Sequence, residues 1–473
     1  PVTSIGNYVF SYCQKLTSIT IPNNVTSIGY NAFYHCDRLT EIAIPDSVTS
    51  IGNDAFYETP WLEEKQNENP LVIINGILID GKKCSGEVVI PDNVNKISSR
   101  AFTYCEDLTS IIIPDNVVDV GESVFSGCTS LKYAKIGNGV TKIPGYGYTG
   151  PSGFFYECTN LETVVLSDNI EYIGENAFCY CESLKNINFP EKISHIGIRA
   201  FNGTKWFDNQ NDGLVCINNI VYGYKGEMPE NTEIILPENT IGISSFALAG
   251  YDNLSSIKLN DGLKYIERRA FAGCKNLKSL IIPDSVVVFE NGVVQYCTSL
   301  KELKLSENTP YLTRDFLNGD FAGGVTDCDS LESLVIPHSV QIIDEYSLGG
   351  NPNLKSLIIL NPDCEIIENA FQGMMADSIP TIYSYENSTA QEYAETYGYE
   401  FVSLGEAPEK PHIPTGDING DGQFNIADLA VFRKFLLGSP DVKISNWKDV
   451  DLYEDGVLDV FDYCLMKKKL IEK

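Results

Sequence analysis

Ser27–Thr49 reads SIGYNAFYHCDRLTEIAIPDSVT, and sliding it by 23 residues lands on another copy of itself. Ile5, Ile28 and Ile51 keep that spacing, as do Phe10, Phe33 and Phe56, Cys13 and Cys36, Leu16 and Leu39, and Ile21 and Ile44. Five registers in step define a unit, I-G-x-x-A-F-x-x-C-x-x-L-x-x-I-x-I-P-x-x-V. Such a unit is too short to enclose a core, so its apolar anchors are buried only by stacking one copy on the next. Leu39, Ile42 and Ile44 alternate as on a short strand with an apolar inner side. Pro45, which has no N–H to give to a ladder, ends it. The expected fold is a mainly β and irregular solenoid with short parallel strands.

A solenoid grows by adding coils, so 473 residues need not mean several domains. The balance of 34 Lys and Arg against 64 Asp and Glu, a net charge of -30, argues against nucleic acid or an anionic membrane surface as partner. No run approaches the roughly 18 apolar residues of a membrane span. No leader sequence is present, but Pro1 falls inside a repeat, so the true amino terminus is expected to lie upstream. Nine of the 14 cysteines (Cys13, Cys36, Cys105, Cys128, Cys158, Cys181, Cys274, Cys297, Cys328) share one repeat position. Equivalent positions in adjacent coils lie roughly 5 Å apart, and a buried thiol packs as a small hydrophobe. We therefore expect a column of free thiols rather than disulfides, with Cys84, Cys179, Cys216, Cys364 and Cys464 off the column.

Two stretches break the period. From Ile51 to Ile97 the gap is 46 residues, and Asn75-Gly76 between apolar runs signals a hairpin. A second such unit fills the 45 residues from Ile196 to Ile241. Each is expected to project a hairpin from the stack or to form two degenerate coils. Shorter insertions occupy Pro144–Gly153 and the segment between Asp315 and Asp327. Because both precede a strand segment, they should emerge away from the strands. They read as ligand loops using Tyr146, Tyr148 or Phe321, or as insertions the stack tolerates. Ser388–Tyr397 has the pattern of an amphipathic helix that caps the last coil.

Outward positions of the L-x-x-I-x-I segments carry Lys132, Lys135, Lys185, Lys258, Lys278, Lys301, Lys304 and Lys355, with Tyr133 among them, and only four acids: Glu41, Glu162, Glu302 and Glu332. A locally cationic strand face on an acidic protein could bind an acidic protein or polysaccharide. Alternatively, spaced lysines keep an exposed ladder soluble.

The domain limits we expect are a solenoid over 1–405, a Pro-rich linker over 406–416 and a small all-α module over 417–473. Asp417–Asp428 reads DINGDGQFNIAD, which sets oxygen donors at the alternating positions a calcium loop requires. Asp417, Asn419 and Asp421 supply side chains, Gln423 its carbonyl, Asn425 a water-bridged oxygen, and Asp428 the last carboxylate. Gly422 allows the sharp turn. A second copy offers Asp451, Tyr453, Asp455, Val457, Asp459 and Asp462. Tyr453 stands where Asp or Asn is expected, so this second calcium site should be the weaker. A short amphipathic helix follows each loop. Clustered carboxylates repel without metal, so folding here should be calcium-linked.

This tandem, with loops that end in Asp and no helix before the first, resembles a dockerin, the calcium-dependent plug of cellulosome-type assemblies. The 23-residue unit resembles the BspA-like leucine-rich repeats of bacterial surface proteins, and Tyr385–Ala394 is similar to that family's usual last element. The dockerin resemblance implies docking into a cohesin module of a scaffoldin. It places the contact at Ile426, Ala427, Arg433 and Lys434 in the first copy and at Val460, Phe461, Lys467 and Lys468 in the second. The hydroxyl pair of clostridial dockerins is absent, which implies an apolar-anchored contact more like that of ruminococcal ones. Ala427 against Phe461 argues against two equivalent binding orientations.

The reading is a secreted, noncatalytic, cellulosome-associated component, with the solenoid recognising a protein or glycan. His35, His195, His338 and His412 are scattered, and no G-x-S-x-G, H-E-x-x-H or phosphate-binding glycine loop occurs. The alternatives are a surface adhesin for host or neighbouring cells and a polysaccharide-degrading enzyme that carries a dockerin, since paired carboxylates cannot be recognised by spacing in sequence.

Overall fold

Each 23-residue unit folds into one coil of a solenoid, and each regular coil contributes two short parallel strands. In the computed structural model the described residues are 2–145, 152–309, 311–312, 324–373 and 378–407 and, towards the C terminus, 416, 418, 424, 426–436, 450, 452, 458 and 460–471. The expected strand forms: Ser18–Thr20 pairs in parallel with Glu41–Ala43, with Ile19 opposite Ile42. A second ladder was not visible in the sequence. It consists of two-residue strands, Ser4–Ile5, Ser27–Ile28 and Ser50–Ile51, again paired at an offset of 23. Two residues are too few to show a period.

The interior is a set of columns. Phe10, Phe33 and Phe56 stack at 5.2 and 5.6 Å with nearly parallel rings. Phe102, Phe125, Phe155, Phe178 and Phe201 continue the motif at 5.1 to 5.4 Å. Beside them runs the thiol column. All 14 cysteines are free, and every one of the nine is buried except half-buried Cys13. Cys36, Cys128, Cys158 and Cys181 each donate from Sγ to the carbonyl of a phenylalanine in the preceding coil, at 3.0 Å. Cys84 belongs to this column after all: its carbonyl accepts from Cys105 Sγ at 3.0 Å, and its own N–H donates to Gly81 as that of Cys105 does to Phe102. Cys364 instead takes the place of the valine that follows each strand, its N–H donating to Asn361 as that of Val340 does to Pro337.

The two long gaps do not project hairpins free of the stack. Each fills its two periods with two irregular coils, the first built on a short helix and the second entered through a hairpin whose second strand joins the short ladder. After Phe56 the chain enters helix α1 (Pro60–Glu68), capped by Thr59, whose hydroxyl accepts from Leu62 N at 3.2 Å and donates to Phe56 O at 2.7 Å. Trp61 closes the phenylalanine column at 4.8 Å from Phe56. The hairpin Val72–Ile74 and Ile77–Asp80 follows, and its second strand joins the short parallel ladder, with Leu78 opposite Ile97. The second gap repeats the device. Thr204 caps helix α2 (Lys205–Asp208) with the same two hydrogen-bond lengths, 2.7 and 3.2 Å, and Trp206 closes on Phe201 at 5.0 Å. The hairpin Gly213–Ile217 and Ile220–Lys225 then enters the ladder with Val221 opposite Ile243.

Of the first insertion, the neck is described: Gly145 and Gly153 bridge across it directly after the two-residue strand Lys142–Ile143. The second leaves its coil at the same point, after Tyr311–Leu312. Tyr146, Tyr148 and Phe321 lie outside the described residues. At the far end of the stack, helix α3 (Thr389–Tyr397) is capped by Ser388 and stopped by Gly398 at φ 78°. Ala390, Tyr393 and Ala394 are buried against the last coils, and strand Phe401–Ser403 pairs in parallel with Thr381–Ser384.

Packing divides the chain into 1–405 and 406–473. The second unit holds helices α4 (Ile426–Leu436) and α5 (Val460–Ile471) around buried Phe432, Val450 and Met466.

Candidate functional site

The C-terminal unit is built twice from one pattern. Loop positions two and eight are Ile418 and Phe424 in the first copy and Leu452 and Leu458 in the second, and all four pack on the same core. Helical positions match too, Leu429 with Tyr463 and Phe432 with Met466. Phe432 and Tyr463 meet at 6.2 Å across the two helices. These apolar positions recur with the acidic ones, and reading the second copy against the first would have found them.

Asp428 and Asp462, the last carboxylate of each loop, sit in the first turn of α4 and α5 and are fully buried. Asp428 Oδ1 accepts from Ile418 N at 3.0 Å, which ties the end of the loop back to its start. A buried carboxylate at a helix N-terminus meets unpaired N–H groups and the positive end of the helix dipole. Hard oxygen donors held there fit a calcium ion. Asp417, Asn419, Asp421, Gln423, Asn425, Asp451, Tyr453, Asp455, Val457 and Asp459 lie outside the described residues. Among the described residues no cluster of three or more His, Cys, Asp or Glu is arranged to hold a metal.

Arg433 and Lys434 are exposed on α4, and Lys467 and Lys468 on α5. Ile426, Ala427, Val460 and Phe461 lie in the first helical turns, and their side chains are outside what the structure describes.

On the strand face of the solenoid all eight lysines are exposed, and Tyr133 is half-buried. The face is less cationic than its lysines suggest. Lys185 pairs with Glu162 at 2.9 Å and Lys355 with Glu332 at 2.8 Å, each reaching the acid one coil back. These pairs hold both carboxyls below the usual carboxylate range, chiefly through the lysine hydrogen bond. Between the lysines stand exposed β-branched residues: Ile235 lies opposite Lys258, and Ile281 opposite Lys304.

Of the histidines, His195 has a partner 72 residues away, Glu267, at 2.6 Å. Glu267 also accepts from the N–H and hydroxyl of Ser245 at 2.9 and 3.1 Å. The set braces the coils on either side of the second hairpin, and no spacing in the sequence announces it. No helix among the described residues is long and apolar enough to cross a membrane.

A stack of 23-residue coils joined to a duplicated loop–helix module defines a leucine-rich-repeat solenoid bearing a dockerin. The BspA type leucine rich repeat region matches residues 1–77, 81–205, 222–319 and 325–397, and the dockerin type I domain matches 415–471. The chain belongs to the BspA-type leucine-rich-repeat family. Neither matched region is a catalytic domain. Among solved structures it is similar to a leucine-rich repeat protein from Bacteroides ovatus, at 24% identity over 85% of this chain and 88% of that one with a TM-score of 0.35. A leucine rich cell surface protein from Faecalibacterium prausnitzii shares 25% identity over 83% and 86%, with a TM-score of 0.33. No curated protein matches the sequence.

Proposed function

We propose that this protein is a secreted, noncatalytic component of a cellulosome-type assembly. Its C-terminal module docks into a cohesin in the presence of calcium, and its solenoid recognises a protein or glycan. The observation that carries the reading is the dockerin match over 415–471, together with two packed helices that each open on a fully buried aspartate. Two ions bind, through Asp417, Asn419, Asp421, Gln423, Asn425 and Asp428, and through Asp451, Tyr453, Asp455, Val457, Asp459 and Asp462. The second is the weaker because tyrosine offers no carboxylate. The cohesin contacts Ile426, Ala427, Arg433 and Lys434 or Val460, Phe461, Lys467 and Lys468, so apolar anchors sit beside exposed cations. The test is capture of the full chain on a panel of immobilised cohesins, with calcium and with a chelator. Calcium-dependent capture is expected; a chain that binds calcium yet is held by no cohesin would refute docking as its attachment.

A further inference from the structure

The first hairpin coil leaves a gap in the outer surface of the stack. Leu78 lies opposite Ile97 in the short ladder. Six residues then lead from Leu78 to Cys84, where eight lead from Ile97 to Cys105. The shortened turn omits the Ala-Phe arch of a regular coil, and Gly81 stands where the neighbouring Phe102 ring leaves no room for a Cβ. The result is an open cavity of about 530 Å³ between the coil of Tyr57 and that of Tyr104. This lies within the range of small-ligand sites.

Its walls are aromatic and its charges are paired. Tyr34 stacks on Tyr57 at 5.4 Å, and Lys82 Nζ lies 5.1 Å from the Tyr57 ring centre. Asp54 takes Lys82 at 2.9 Å and Arg100 at 4.0 Å, and Lys82 also reaches Asp80 at 3.7 Å. On the far side Tyr104 is 69% exposed, with φ 58° and its ring against Gly127. A second cavity of about 510 Å³ shares Tyr57 and Lys82 and runs on along α1 past Gln66.

The second hairpin coil shows that such a gap can be closed. There Tyr224 occupies the place of Gly81, three residues after the strand anchor, and packs on Tyr251 at 5.3 Å. From inside, the Tyr222 hydroxyl accepts from Phe201 N at 2.9 Å while Phe207 packs against its ring. What remains is about 290 Å³. The same backbone device is therefore filled in one place and open in the other.

We propose that the open gap at the first hairpin coil binds a neutral oligosaccharide. Tyrosine rings present flat apolar faces with a polar rim, which suits the C–H faces of a pyranose. Asp54, Lys82 and Arg100 hold acceptors and donors at fixed positions, as pairs of adjacent hydroxyls require. Both cations already have carboxylates, and the adjoining cavity adds Glu58 and Glu63 to its lining, so an acidic sugar is disfavoured. Two neighbouring cavities that share Tyr57 and Lys82 offer room for more than one sugar unit. The proposal rests on the reading of the solenoid as the recognition module and is independent of docking.

The test uses the full chain in calcium, titrated with cello-, xylo-, manno- and galacto-oligosaccharides and with an oligogalacturonate. Tyr104→Gly is the main variant, because Gly127 occupies the matching position of the next coil with φ 74°. Tyr180→Gly, at the same repeat position beside Gly203 but outside the gap, is the control. At least one neutral oligosaccharide should bind, and Tyr104→Gly should weaken it by about tenfold or more, the loss of one well-placed ring. Tyr180→Gly should leave binding unchanged. Binding of none of the neutral sugars, equal loss in both variants, or preference for the galacturonate overturns the proposal. Cohesin capture measured on the same samples keeps a failure of docking distinct from a failure of sugar binding.

Discussion

The two parts of the chain are held together by different means. In the solenoid the same apolar columns recur coil after coil, and nine phenylalanines (Phe33, Phe102, Phe125, Phe154, Phe155, Phe178, Phe201, Phe271 and Phe371) are fully buried. Among the described residues of the C-terminal module the fully buried apolar side chains are Phe432, Val450 and Met466, and Asp428 and Asp462 are buried beside them. The dockerin match implies a calcium-binding module, and on the proposed function its carboxylates draw stability from the bound cation. One region then carries its stability in repetition, and the other takes it from solution.

Chelation should therefore separate them most sharply. Removing calcium should unfold the C-terminal helices, seen by circular dichroism and loss of tyrosine packing, while the solenoid's thermal transition stays in place. Asp428→Ala should lower calcium affinity by about a hundredfold or more, since even outer-shell changes cost 10–100-fold. Equilibrium dialysis checks it. In the opposite direction, Phe125→Ala should destabilise the solenoid by roughly 3–5 kcal/mol in urea titration without affecting calcium binding. Thr59→Ala removes a helix cap and a buried hydroxyl together, and should cost about 1–2 kcal/mol. Smallest of all, Lys185→Ala should leave the denaturation midpoint unchanged within error, because its pair with Glu162 is exposed on both sides. A large effect there would mean the strand face does more than stay soluble.

Much of the solenoid could be read from the sequence because one constraint repeats. Phe33, Cys36 and Leu39 are buried for the same reason as their counterparts 23 residues on, so each copy confirms the others. The hairpin turn at Asn75-Gly76 was legible for a local reason, since both residues take positive φ, 50° and 80°. What escaped was set by neighbours. Trp61 and Trp206 end phenylalanine columns, and helices α1 and α2 form where a capping threonine meets that ring, a relation across coils that no local pattern displays. The two-residue strands exist only as partners of one another. In the C-terminal module the acidic loop pattern drew the reading, and Phe424 and Leu458 escaped it, because a calcium motif directs the eye to oxygen.

The thiol column has one more consequence. Burial pushes Cys105 up to about 11 and Cys297 up to about 12, and raises Cys128, Cys158, Cys274 and Cys328 as well. At neutral pH these sulfurs are almost entirely unionised and shielded from solvent, so a thiol-modifying reagent reaches each only when its own coil opens. The protein thus carries a built-in chronometer at nearly every step of its length. The labelling rate of each cysteine times the opening of one coil, and the series would map where along the stack unfolding begins.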